Sequence, residues 1–388
     1  MYVLLISRGF PSKRNPQWGC FEKDQAIALQ ASGHKVVMMS IDVRFRLYWR
    51  KIGISHIKDK RIDIYNFFVF PSVIITYISQ RLAFFIHKKL ILLLYKKIEK
   101  EQGKPDIIYA HYLSSIALSV PIKKNFNIPL VGIEHWSMLN QKQLPHYVYN
   151  RGYLAYSMVD RLISVSYSLR NQILLHFNKD SIVIHNMVGE EFVSQKLKSA
   201  RGNNSLIKYV SVGSLLWVKG FNVLIEAFSK SGLKEKKVTL TIIGDGKERN
   251  TLQQQIIDAD LTDSIFLAGT KSKLEIIDIL NNSDVFVFPS RSENFSVAVI
   301  EALSLGLPVV ATLCGGIREC VDESNGILVP VEDVDALTNA MQKMYQTFTH
   351  YDRKAIAENC QNKFSPSVIA KELTEVFEEV VENSKKEK

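Results

Sequence analysis

The sequence predicts an α/β protein of two parallel-sheet domains, and three stretches carry that prediction. The chain opens β-loop-α-β: an apolar strand, Tyr2 to Ile6, a loop, a helical stretch from Phe21 to Ser32, the turn Gly33-His34 and a second strand, Lys35 to Ser40. A polar, basic, Gly-containing segment, Lys196 to Ser205, reads as a linker, and a new strand, Ile207 to Val212, follows it. Between Val285 and Thr312 the run V-F-V-F-P-S-R-S-E-N-F-S-V-A-V-I-E-A-L-S-L-G-L-P-V-V-A-T gives strand, loop, helix and strand again. A chain of 388 residues can bury two cores. The expected divisions are 1–195, 206–364 and a closing helical segment, 365–388.

Composition is that of an ordinary globular protein, 46% hydrophobic and 23% charged. No apolar run approaches the roughly 20 residues that a membrane span needs. Phe67 to Ile78 comes nearest, and Pro71 breaks it. The amino end enters a strand directly, without a basic segment and cleavage site, so no signal peptide is expected. Cys20, Cys314, Cys320 and Cys360 have neither metal nor disulfide spacing, which favours a reducing cytoplasm. Residues 1–100 carry 18 Lys/Arg against 6 Asp/Glu, whereas residues 301–388 carry 9 against 15. The net charge of +10 is therefore concentrated at one end.

In the first domain, the loop Ser7 to Gly19 holds Arg8, Gly9, Pro11, Pro16, Trp18 and Gly19, and lacks G-x-G-x-x-G. That absence counts against a dinucleotide oxidoreductase. Gly19 provides either a positive-φ turn or a close approach of backbone to ligand. Arg44 to Lys51 interleaves basic and aromatic residues, and Ser79 to Lys100 reads as a helix with a broad apolar side and Arg81, His87, Lys88, Lys89, Lys96, Lys97 and Lys100 on the rest. Such a region suits an anionic membrane surface or, alternatively, domain core with a solvated charged face. No nucleic-acid motif accompanies it, so no nucleic-acid partner is expected. The strand Ile107 to Ala110, His111, a helix from Ser114 to Lys124 and the strand Leu130 to Ile133 follow, ending in Glu134-His135-Trp136. A histidine at the carboxyl end of a parallel strand points into the ligand crevice of an open sheet. His135 is thus a candidate for positioning and polarising through a hydrogen bond, with a structural histidine as the alternative. His111 reads as structural.

In the second domain, Lys219 stands just before the helix Phe221 to Ser229, where an ammonium can neutralise a diphosphate. The strand Val238 to Ile243 runs into Gly244-Asp-Gly246, a turn that lets backbone approach a nucleotide. Ile265 to Ala268 is followed by Gly269-Thr270-Lys271. Pro289 ends the buried strand Val285 to Phe288, Ser296 fits an N-cap, and Gly306 and Pro308 stop the helix Val297 to Leu305. Glu293 and Glu301 bracket that helix start at about 8 to 12 Å by helical rise. Between them lie the N–H groups at which a phosphate binds cheaply. Glu301 is flanked by Val299, Ile300, Ala302 and Leu303, which predicts a buried carboxylate. Acceptor, anion cradle and acceptor match a sugar, a diphosphate and a ribose. Asp258-Ala-Asp260 and Asp333-Val-Asp335 follow no strand and read as surface charge, so no metal is expected.

This element resembles the E-x7-E signature of glycosyltransferase family 4, the retaining, nucleotide-sugar-dependent enzymes of the GT-B fold. The resemblance extends through Gly315-Gly316, Gly326-Ile-Leu-Val-Pro330, the Gly33-His34 turn, Asp160 to Ser166 and Ser181 to Asn186. It departs at Asn294 and Ser296, where the family often has Gly, and at Ser214, where an Arg is common. What it implies is a GT-B architecture, two Rossmann-like domains facing across a central cleft, with the closing helix packed back on the first. His135, Lys219 and Glu293 are then catalytic. Donor binding falls to Gly19, Ser214, Lys219, Gly244, Gly246 and Thr270, and to Glu293, Asn294, Phe295, Ser296 and Glu301. Arg8, Trp18 and Trp136 are acceptor-side candidates.

The implied reaction moves a hexose-type sugar from a nucleoside diphosphate sugar, a co-substrate rather than a cofactor, to a glycan or lipid-linked acceptor. Surface-polysaccharide or lipopolysaccharide assembly, on the inner face of the cell membrane, is the implied setting. A GT-B nucleotide-sugar epimerase and a non-catalytic nucleotide-sugar-binding subunit, the latter suggested by Ser214, are the alternatives. A basic membrane-binding module would explain residues 44–100 but not the second domain.

Overall fold

The structure, a computed structural model, describes residues 1–12, 18–42, 52–60, 62–69, 79–197 and 206–386. The Arg44 to Lys51 run, Pro16, residues 70–78 and most of the linker lie outside the described residues. Two compact units emerge, Met1–His185 with Ile369–Lys388, and Asn186–Val368. Each is a largely parallel sheet flanked by helices.

In the first unit the strands are β1 (Tyr2–Ile6), β2 (Lys35–Asp42), β3 (Gly53–Asp59), β4 (Ile62–Phe68), β5 (Ile107–His111), β6 (Leu130–Glu134), β7 (Arg161–Ser164) and β8 (Ile182–Val183). Their order is β3-β4-β2-β1-β5-β6-β7-β8, with only β3 antiparallel to its neighbour. The central strands β1, β5 and β6 are buried along their whole length, as strands covered by helices on both faces must be. The helix Gln80–Gln102 starts at Ser79, whose side chain accepts the N–H of Leu82, and buries Ala83, Ile91, Leu94, Tyr95 and Ile98. Its apolar side is thus domain core. Sequence reasoning did not anticipate the β3–β4 hairpin, although Ile62 and Ile64 alternate with Asp63 as a half-buried strand should. The helix Pro366–Lys386 packs here from Ile369 onward, with Phe377 5.0 Å from the Tyr109 ring and Thr374 Oγ1 2.8 Å from a His34 ring nitrogen.

The second unit contains β9 (Ile207–Val212), β10 (Val238–Ile243), β11 (Ile265–Gly269), β12 (Val285–Phe288), β13 (Val309–Thr312) and β14 (Gly326–Val329), in the all-parallel order β11-β10-β9-β12-β13-β14. Residues 186–195, read from the sequence as the end of the first domain, pack in this unit. Val188 N–H donates to Phe364 O at 2.9 Å, and Asn186 Nδ2 donates to Phe295 O at 3.3 Å. Strand order reverses direction between β1 and β5 in one sheet and between β9 and β12 in the other. Open α/β sheets bind ligands beyond the carboxyl ends of strands at such switch points. Among the described residues, no helix is long and apolar enough to cross a membrane.

Candidate functional site

At the switch point of the second unit, two loops are stapled together. The loop after β9 ends in the short 3-10 turn Trp217–Lys219 and in Gly220. The loop after β12 lies against it, with Arg291 N–H donating to Val218 O at 2.8 Å and Ser290 Oγ donating to the same oxygen at 3.1 Å. Arg291 adds hydrogen bonds to Trp217 O and to Asn222 Oδ1 (3.1 Å), an ion pair with Glu332, and a stack over the Trp217 ring. Across this junction Lys219 and Glu293 form an ion pair, their side chains 24% and 15% exposed, and Ser290 Oγ donates to Glu293 Oε1 at 3.2 Å. The sequence-predicted cation and carboxylate thus meet.

The helix Val297–Ser304 begins three residues after buried Asn294. Ser296 occupies the N-cap position as expected, but its side chain makes no capping hydrogen bond, which corrects the capping role read from its residue type. The N–H groups at a helix start lie outside the intrahelical ladder in any case. Glu301, one turn in, is half-buried rather than enclosed. Gly315 explains how the loop after β13 reaches this point. Its φ is +55°, and a Cβ there would stand 1.8 Å from Glu293 O, so no side chain is admissible. The neighbouring Cys314 thiol is pushed up to about 12 by burial and by the charge of Glu293, which keeps it neutral.

Gly244 and Gly246 form a third loop. Both are crowded on their Cβ side by the protein's own backbone. A Cβ on Gly244 would fall 1.9 Å from Gly213 O, and one on Gly246 2.3 Å from Leu215 O. These glycines therefore lock the β10 loop to the β9 loop that carries exposed Ser214. Gly244 N–H also donates to Gly269 O at 2.9 Å, which brings exposed Thr270 alongside. The two D-x-D sequences are engaged elsewhere: Asp260 pairs with Lys234, Asp333 caps the helix Val334–Thr347, and Asp335 pairs with Lys230. Among the described residues no group of three or more His, Cys, Asp or Glu could hold a metal ion.

In the first unit, Arg8 follows β1. Its Nε donates to Glu22 Oε1 at 3.1 Å, and its guanidinium stands 3.6 Å from the centroid of the Tyr112 ring and 5.1 Å from that of Trp18. Trp18 Nε1 donates back to Arg8 O at 3.1 Å. Two acceptor-side candidates are thereby joined. Gly19 is a positive-φ turn, φ +76°, and the atom a Cβ would strike is Gly9 O at 2.2 Å, in its own loop. Tyr112 sits directly after β5 at φ +67°, a strained conformation that surrounding packing must sustain.

His135 and the adjoining Trp136 are half-buried at the end of β6, apart in sequence from the Arg8–Trp18 loop. The His135 ring is parallel to that of His111 within 4° at 5.4 Å, and lies 4.9 Å from Tyr112. His111 is fully buried; desolvation, then His135 and Arg8, hold its imidazole well below the usual range and hence neutral. Glu134, also fully buried, accepts N–H bonds from His135 (2.9 Å) and Trp136 (2.8 Å) and the Tyr156 hydroxyl (2.7 Å). Burial raises its carboxyl pKa, and these donors oppose that shift. Glu134, Glu22 and Tyr112 were not singled out from sequence. The available signal was an acid next to the candidate histidine.

Comparison with known proteins bears on family and fold. The family profile described as "Glycosyltransferase Family 4" matches residues 23–192, and that described as "Glycosyl transferases group 1" matches residues 194–362. The chain is 24% identical over 99% of its length to the whole of the putative teichuronic acid biosynthesis glycosyltransferase TuaC of Bacillus subtilis. It is 33% identical over 44% of its length to 45% of the putative colanic acid biosynthesis glycosyltransferase WcaL of Escherichia coli. In fold it is similar to sucrose-phosphate synthase from Thermosynechococcus elongatus (TM-score 0.78, 17% identity, 98% of each chain). It is also similar to HepE of Anabaena in complex with UDP (TM-score 0.72, 17% identity, 97% of this chain and 99% of that one). Both are GT-B neighbours, and the fold of this chain is GT-B.

Proposed function

We propose, for a chain that belongs to the family 4 and group 1 glycosyltransferases, that it moves a hexose-type sugar from a nucleoside diphosphate sugar to a hydroxyl of a glycan or lipid-linked acceptor, with retention at the anomeric carbon. The observation that carries this reading is the Lys219–Glu293 pair beside the start of the helix Val297–Ser304, at the switch point of the second sheet. Glu293 holds donor sugar hydroxyls and Glu301 the ribose. Lys219, with the Phe295 and Ser296 amides, stabilises the diphosphate in place of a metal, as charge fixed in advance does without reorganisation. Asn294, Ser214, Gly244, Gly246 and Thr270 complete the donor side.

The bond from the anomeric carbon to the diphosphate breaks, the acceptor oxygen bonds that carbon on the same face, and its proton passes to the departing phosphate oxygen. His135 orients a sugar hydroxyl through a hydrogen bond. UDP bound to HepE makes uracil the first base to try. Polysaccharide-biosynthesis names among the relatives support a surface-polysaccharide product.

The first unit, in the same proposal, rests on anionic lipid. Along the helix Gln80–Gln102, Leu82, Phe85 and Leu93 are 51%, 55% and 57% exposed and share the outer side with Arg81, Lys89 and Lys96. That mixture of apolar and basic side chains suits a headgroup layer. Thermal-shift titration with UDP, GDP, ADP and their sugars tests the donor assignment, because a ligand of the folded state alone raises the melting temperature. A shift by none of them removes the nucleotide-sugar reading.

A further inference from the structure

One pocket lies wholly within the first unit, at the carboxyl ends of β1 and β2. It has a volume of about 300 Å³, and Ile6, Ile41, Phe84 and Ile91 give it apolar walls. Arg151 enters it from the helix His146–Met158. The guanidinium stands 4.9 Å from the Phe84 ring centroid and 5.5 Å from that of Tyr147, and Nη2 donates to Gln80 O at 3.5 Å. No carboxylate pairs with it among the described residues, in contrast to Arg8, which has Glu22. Burial lowers its proton affinity, so the charge is carried at a cost in stability. His87, which also lines the pocket, is pushed down by burial and by Arg151. Ser114 and Ser115, in the first turn of the helix Tyr112–Phe126, add hydroxyls at a helix start. Buried Asp42 on the β2 side is the acid that an incoming anion must avoid.

A half-buried guanidinium without a counter-ion is completed by an oxyanion, and its planar fork matches a phosphoryl group. The apolar walls call for a hydrocarbon on the same ligand. We propose that this pocket is the acceptor subsite and takes a phosphoryl group carried on an apolar chain. Its role as acceptor subsite rests on the transferase reading above; its ligand chemistry does not. The helix Gln80–Gln102 serves both faces, with Phe84, His87 and Ile91 lining the pocket while Leu82, Phe85 and Leu93 point outward. A chain leaving the pocket therefore emerges beside the surface suited to a bilayer.

The test is direct binding to the full chain, followed by calorimetry and by tryptophan fluorescence, with farnesyl diphosphate, farnesol, inorganic diphosphate and glucose 1-phosphate as probes. Farnesyl diphosphate is expected to bind at least tenfold more tightly than the other three. Arg151→Ala should weaken it at least tenfold, Arg151→Lys should weaken it less while preserving the fold, and Lys219→Ala should leave it unchanged. Equal affinity in Arg151→Ala and parent, or loss in Lys219→Ala, overturns the subsite. Glucose 1-phosphate binding as tightly as farnesyl diphosphate overturns the apolar chain and points to a free phosphorylated sugar. Absence of transfer from every nucleotide sugar, with Arg151-dependent farnesyl diphosphate binding intact, removes the transferase reading and leaves the pocket's ligand standing.

Discussion

Replacing Glu134 by alanine strips the acceptor from three donors at once, the N–H groups of His135 and Trp136 and the hydroxyl of Tyr156. An orphaned buried donor costs about 1–3 kcal/mol. The two N–H groups belong to half-buried residues and can recover water, which places them at the low end, whereas Tyr156 is fully buried and sits at the high end. The sum is about 3–5 kcal/mol. At about 2–4 °C per kcal/mol for a unit of this size, the melting transition should fall on the order of 10 °C. Glu134→Gln keeps one acceptor oxygen and should cost only about 1–2 kcal/mol. Because the folded carboxyl is raised, the stability it contributes is complete below the ordinary glutamate value and is lost as pH rises through the raised one. The deficit of the Gln variant relative to the parent should therefore narrow as pH climbs through that window. Circular-dichroism melts of both variants across pH read all three quantities. An Ala variant melting within about 2 °C of the parent, on the same conversion, would refute the claim that this carboxylate organises the turn bearing His135.

The donor-side roles make separate kinetic predictions. Glu301→Ala removes hydrogen bonds between a charged group and the ribose, each worth about 1.5–3 kcal/mol, and should raise the donor KM at least tenfold; unchanged donor affinity would exclude that role. Lys219→Ala should lower kcat by about 100- to 1000-fold, the usual loss of one group from a preorganised anion site, and equal turnover would remove it from the mechanism. On the membrane side, Lys89→Glu with Lys96→Glu should weaken binding to anionic vesicles on the order of 30-fold, at about 1 kcal/mol per basic residue lost. Sedimentation with neutral vesicles as the control decides it, and identical binding of the double variant would discard the lipid surface.

What could be read from the sequence was whatever local patterning dictates. The strands β1, β9 and β12 are continuous apolar runs, and the helix Val297–Ser304 is bounded by Ser296 and Gly306, so both sheets and the Glu293–Lys219 neighbourhood were visible before any coordinates. The β3–β4 hairpin is hard to read because the alternation in Ile62–Phe68 holds only over its first three residues and lies among strongly basic and aromatic sequence. Glu134 was missed for a different reason. Its importance comes from Tyr156, 22 residues later and on another element, and no local pattern encodes that hydrogen bond. Gly244 shows the same limit. The sequence signals a tight backbone approach, but no local pattern names Gly213, on another loop, as the backbone it meets.

Ser214 stands where the family resemblance implies an arginine, and the surrounding cations differ in how readily they could replace it. Arg291 is committed to the ion pair with Glu332, and its two hydrogen bonds and its stack on the Trp217 ring hold the two loops together. Turning it toward a diphosphate would undo the junction that positions Glu293. Arg249 donates through Nη2 to Leu267 O at 3.3 Å, while its buried Nη1 has no hydrogen-bond partner among the described residues. It borders Gly269, next to Thr270, so this donor faces the loop that carries Thr270 rather than the Glu293 junction. Lys219 is different, because a single ammonium shared with a carboxylate can be drawn to a stronger anion by bond rotation alone. In the proposed reaction the departing diphosphate therefore competes with Glu293 for one mobile cation. As Lys219 moves toward the phosphate, Glu293 is released to accept hydrogen bonds from the sugar, which ties donor recognition to leaving-group stabilisation through one ion pair.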